Sequence, residues 1–76
     1  MRCIYWLEGR YMKNMKLKIA RMEQGLSQVQ LAEMTDVTRQ TIGMIEAGDF
    51  NPSLKLCIRI CKALGKTLDD LFWEVE

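Results

Sequence analysis

The sequence predicts an all-α domain of five short helices, on three observations. Five residues suited to helix N-caps, Asn14, Ser27, Thr38, Ser53 and Thr67, each stand ahead of apolar residues at helical spacing. Glycines at positions 25, 48 and 65 follow three of those segments as helix stops. One proline and five glycines in 76 residues leave little else to interrupt helix formation. The length is that of one small domain, near the limit at which a single core suffices without staples. An apolar fraction of 49% can supply that core.

The elements follow in order. The first helix is expected over residues 15–24, capped by Asn14 and stopped by Gly25. The second starts at "SQVQ", where Ser27 caps and Gln30, three residues on, reaches back as a capping box. Leu31 and Ala32 then face inward, and the helix stops near Thr35 and Asp36; Asp tolerates the left-handed geometry of a tight turn. The third is capped by Thr38, and its Ile42 and Ile45 share a buried stripe with Val37. Its opposite face carries Gln40, Gly43, Met44 and Ala47, and Gly48 closes it. "DFNPS" is a loop leading to Ser53, which caps a fourth helix with an expected stripe of Leu54, Ile58, Cys61 and Leu64, ended by Gly65. Thr67 and Asp70 open a short fifth helix with Leu68, Leu71 and Phe72.

Composition excludes several functions. A net charge of +1 announces neither nucleic acid nor membrane, so any polyanion site depends on local placement of charge. That placement is uneven: Arg10, Lys13, Lys16, Lys18 and Arg21 run without an acid between them, and Asp69, Asp70, Glu74 and Glu76 close the chain without a base. Three cysteines do not make a disulfide framework; Cys57 and Cys61, four apart, read as small apolar residues on one helix face. With no histidine, a zinc site lacks ligands and no Ser-His or Cys-His pair can form, so neither a metal, a cofactor nor an enzyme is expected. No apolar run is long enough to span a bilayer, "CIYWL" is too short for a signal peptide, and nothing suggests a small-molecule ligand. A cytoplasmic location is the default expectation.

Two short helices joined by a turn, the second with a polar face, match the helix-turn-helix motif. A plain bundle with a solvated third helix satisfies the same spacing. The run "GLSQVQLAEMTDVTRQTIGMIEAGDFNPSL" closely resembles the Xre family of regulators, the group around the phage lambda repressor and Cro. The further run "LCIRICKALGKTLDDLFWE" is similar to a subgroup of very small bacterial regulators. The resemblance implies a lambda-repressor-like DNA-binding domain over residues 12–76, with its third helix in the major groove. By position it implies Arg39, Gln40 and Met44 as base-facing residues. Gln28, Thr38, Thr41 and Asn51 would lie along the DNA backbone, and Arg21 and Glu46 would form a structural salt bridge. The physical case runs in parallel: Arg pairs bidentately with guanine and Gln with adenine, each discriminating by about 1–3 kcal/mol. Met44 fits a thymine methyl and a cover over its neighbours equally. Gly43, costing about 1 kcal/mol in a helix interior, implies a close approach by DNA or a neighbouring helix. Asp36 replaces a common turn Gly and Asp49 a commonly basic residue, which predicts modest affinity per subunit and dependence on dimerisation. Lys16, Lys18, Lys55 and Arg59 offset that acidity.

The first eleven residues fit two readings. Residues 3–7 are rich in aromatic and β-branched types and suit a strand, which some small regulators of this type pair with C-terminal residues. Trp6 would then join Leu68, Phe72, Trp73 and Val75 around a homodimer interface. In the other reading Met12 or Met15 is the start and the preceding residues are translated leader. The expected function is a regulator, more a repressor than an activator, that binds double-stranded DNA at a short inverted repeat as a homodimer. An antitoxin-type interaction protein, or a controller of a restriction-modification system, is the alternative.

Overall fold

The computed structural model of the chain describes residues 2–3 and 14–74, with 2–3 and 73–74 described by backbone alone. These residues form β1 (Arg2–Cys3), α1 (Met15–Glu23), α2 (Gln28–Thr35), α3 (Arg39–Ala47), α4 (Leu54–Leu64), α5 (Leu68–Leu71) and β2 (Trp73–Glu74). The strands pair antiparallel, Arg2 with Glu74 and Cys3 with Trp73. The expected strand at residues 3–7 thus coincides with the observed one only at Cys3; residues 4–7 lie outside the described residues.

Each helix begins where a short polar side chain replaces a missing backbone acceptor. Asn14 Oδ1 accepts from Leu17 N at 3.0 Å, Thr38 Oγ1 from Thr41 N at 3.2 Å and Ser53 Oγ from Leu56 N at 3.1 Å. Ser27 and Gln30 complete a reciprocal box, and Thr67 and Asp70 form a second. Four helix ends share one device, a left-handed residue followed by an N–H that reaches five residues back. The bonds are Leu26 to Arg21, Val37 to Ala32, Asp49 to Met44 and Lys66 to Cys61, at 2.8–3.1 Å. Three of the left-handed residues are glycines; the fourth is Asp36, φ 60°, inside the turn between α2 and α3.

The core collects Leu17 and Ala20 of α1, Leu31 and Ala32 of α2, Ile42 and Ile45 of α3, Leu71, Phe72 and one face of α4. Full burial of a Leu, Ile or Phe contributes roughly 1.5–3 kcal/mol, and six of these residues have no exposed surface: Leu17, Leu31, Ile42, Ile45, Ile60 and Phe72. α2 packs against both α3 and α4, and α5 against α1 and α4.

Two expectations need correction. The inward face of α4 is Leu56, Cys57, Ile60, Cys61 and Leu64, whereas Leu54 and Ile58 are 56% and 38% exposed. The helix carries two adjacent apolar rows, and a count started at Leu54 takes in the outer Leu54 and Ile58 before it reaches the buried Cys61 and Leu64. Phe72, expected at a dimer interface, is fully buried within its own chain, capping α5 against the core, and offers a partner no surface.

Candidate nucleic-acid interface

α3 is divided along its length. Its N-terminal residues Arg39 and Gln40 are exposed, and among the described residues neither side chain has a hydrogen bond or ion pair. Thr41 and Met44 are half-buried; the Thr41 hydroxyl lies 3.0 Å from that of Thr38, closing the first turn. Ile42 and Ile45, on the inner face, fix the helix to α2 and the core.

The C-terminal end is held by charge. Glu46 is 7% exposed and Arg21 of α1 8%, and their groups meet bidentately, Arg21 Nε to Glu46 Oε2 at 2.7 Å and Nη2 to Oε1 at 3.2 Å. Arg21 Nη1 also donates to the Leu26 carbonyl at 2.8 Å, tying down the loop between α1 and α2. The Glu46 backbone carbonyl accepts from Asn14 N at 3.0 Å, so one residue of α3 binds both ends of α1. A buried carboxylate near a helix C-terminus is unfavourable in the helix field, and the guanidinium opposite offsets it.

Gln28 departs from a simple outward-pointing phosphate contact. Its Nε2 donates to Glu46 Oε1 at 3.1 Å, so the side chain folds onto α3. Above Gly43 the nearest neighbour of a built Cβ is this same amide, 3.7 Å away, an ordinary contact. An alanine would therefore fit; the space matters for larger side chains only. Gln28, Gly43, Glu46 and Ala47, with Met15 and Lys18 of α1, line a groove of about 270 Å³ beside the outer face of α3.

The surrounding charges are mixed. Asp36 and Asp49, at either end of α3, are exposed, as are Lys16, Lys18, Lys55 and Arg59. Asn51 is exposed in the loop after α3, and Leu68 is half-buried against the core. The side chains of Trp6, Trp73 and Val75 lie outside the described residues.

Residues 17–71 match the helix-turn-helix family. The chain belongs to that family of DNA-binding transcriptional regulators, which is not a class of enzymes. It is 50% identical over 65 residues to the HTH-type transcriptional regulator YgzD of Bacillus subtilis, covering 86% of this chain and 97% of that protein. Among solved structures it is similar to the restriction-modification controller protein C.AhdI of Aeromonas hydrophila, with TM-score 0.70 and 31% identity over 72% of this chain and 83% of that one. The clp gene regulator ClgR of Corynebacterium glutamicum matches with the same TM-score, 0.70, at 29% identity, over 72% of this chain and 58% of that one. In this helix-turn-helix regulator, α2, the turn at residues 36–38 and α3 make the motif.

Sequence reasoning missed two features of the surface. The Gln28–Glu46 bond leaves no trace in spacing, because the two residues are on different helices. The outer face of α1 carries an apolar row between charged residues, with Met15, Ile19 and Met22 each more than half exposed; their spacing of four and three is visible in the sequence, but their direction relative to the core is not. Among the described residues no helix is long and apolar enough to cross a membrane. Cys57 and Cys61 are both buried in the core. Burial, reinforced by the Asp70 charge, pushes the Cys61 thiol up to about 11.

Proposed function

We propose that this chain is a sequence-specific regulator, acting as a repressor in the cytoplasm, that binds a short inverted repeat as a homodimer. In this reading Arg39, Gln40 and Met44 read base edges, and Gln28, Thr38, Thr41 and Asn51 lie along the phosphates. Residues 12–76 form the binding domain. The observation that carries it is the contrast on α3: two long polar side chains without partners among the described residues at one end, anchored by a buried ion pair at the other. Reaching groups on a fixed helix start are what major-groove readout requires. The capped helix starts add free N–H groups that phosphates accept from.

Dimerisation follows from geometry. One helix start reads only a few base pairs, whereas two related by a dyad read half-sites about 34 Å apart. Leu68, with Trp6, Trp73 and Val75, forms the interface in this reading, and Phe72 supports it from beneath.

Selection of bound fragments from sheared genomic DNA, at low and moderate salt, tests the function. Enrichment of one inverted repeat, with affinity falling steeply as salt rises, is the expected result. Weak binding without a repeat at either salt would overturn it. The exposed row Met15, Ile19 and Met22 favours a second reading, an antitoxin-type protein that neutralises a protein partner and binds DNA to regulate itself. Co-purification of a second small protein from the native host would support that reading.

A further inference from the structure

The Gln28 side chain, at the first position of α2, lies against two residues of α3. Its Nε2 donates to Glu46 Oε1 at 3.1 Å, and a Cβ built at Gly43 would stand 3.7 Å from that Nε2 and 3.8 Å from Oε1. Gly43 and Glu46 are three apart on the helix and so share a face. Gly43 leaves the amide a place to lie, and Glu46 holds it there. Glu46 is itself clamped by two Arg21 bonds of 2.7 and 3.2 Å, so the acceptor is fixed. A carboxamide carries two N–H donors and a carbonyl. Glu46 takes one donor, and among the described residues nothing takes the second or donates to the carbonyl.

We propose that Gly43 and Glu46 are positioning residues that hold the Gln28 amide in one orientation, keeping its second N–H for a phosphate of bound DNA. The inference rests on the DNA-binding reading above and deepens it: the helix that reads bases also sets the phosphate contact of the helix before it. A Gln side chain otherwise loses rotamer freedom on binding; here that freedom is already lost in the free protein. It also explains why position 43 carries a small residue, since a branched or longer side chain there would displace the amide.

Two measurements test this, the first without DNA. In the free protein, the NMR signals of the Gln28 side-chain amide keep their hydrogen-bonded shift in Gly43→Ala and lose it in Gly43→Leu. Unchanged signals in Gly43→Leu would overturn the proposal. The second is a double-mutant cycle on the enriched duplex. Gln28→Ala weakens binding about tenfold, the loss expected for one hydrogen bond to a charged acceptor, and by the same factor on unrelated duplexes. Gly43→Leu produces the same loss, and the double variant is no weaker than either single one. If Gly43→Leu retains its full cost in the Gln28→Ala background, the new side chain collides with DNA directly and the positioning role is wrong. If no duplex is bound at all, the DNA-binding reading fails, while the amide signals still decide the positioning.

Discussion

The two halves of α3 handle polarity in opposite ways. At the N-terminal end Arg39 and Gln40 reach into solvent with no partner among the described residues. At the C-terminal end Glu46 is buried and its carboxylate takes three hydrogen bonds, from Arg21 and Gln28. The difference teaches how a nine-residue helix, too short to persist alone in water, can present reaching side chains at a defined place. The anchored half carries stability and seats the Gln28 amide, the free half carries base readout, and changes at Arg39 and Gln40 should leave stability nearly untouched.

The largest expected effect comes from breaking the anchor. Glu46→Ala leaves a buried guanidinium unpaired and should cost about 3–5 kcal/mol, a large share of what a domain this small has. Urea unfolding of the variant should show much of it unfolded before denaturant is added. A midpoint near that of the wild type would mean the pair is mechanically idle. At the free end the reverse holds. Arg39→Ala and Gln40→Ala should each weaken specific binding by about 1–3 kcal/mol and change unfolding free energy by under about 0.5 kcal/mol.

Gly43→Ala is smaller and sharpens the boundary between the halves. The Cβ meets only the Gln28 amide at ordinary contact distance, so helix propensity should raise stability by up to about 1 kcal/mol with DNA affinity unchanged. The smallest effect lies at α5. The Thr67 backbone N–H, 3.0 Å from Asp70 Oδ2, holds that carboxyl below the usual carboxylate range, assisted by the Thr67 hydroxyl. A depressed folded value means its contribution is complete above the unfolded carboxylate value, about 3.9, and is lost as pH falls through the folded one. Asp70→Asn should therefore flatten the acid limb of a melting-temperature titration and leave neutral pH nearly unchanged. The raised Cys61 thiol has the opposite sign: its contribution is intact below the ordinary thiol value and is lost as pH rises through about 11.

Local chemistry explains what the sequence made legible. The five caps, the glycine stops and the buried Ile42–Ile45 row depend on residues within a turn of one another, and Asp36 takes the left-handed turn its side chain tolerates. Features set by neighbouring helices were harder to read. Leu54 and Ile58 have the spacing of a buried row, yet the core lies one row over because Leu56, Ile60 and Leu64 meet the other helices. Phe72 looked like an interface aromatic because its position relative to the core depends on where α5 ends. Of the site, Arg39 and Gln40 were readable as reaching groups at a capped start, whereas the bond from Gln28 to Glu46 exists only once α2 and α3 have packed.

The division of α3 is tested most directly by one paired measurement on Arg39→Ala/Gln40→Ala: affinity for the enriched duplex and for a scrambled duplex at one salt concentration, beside thermal unfolding. The predicted result is collapse of the specific-to-nonspecific ratio, with nonspecific affinity only modestly lowered and the melting temperature unchanged. Retention of the ratio would contradict the account, because sequence would then be read by residues elsewhere on the chain.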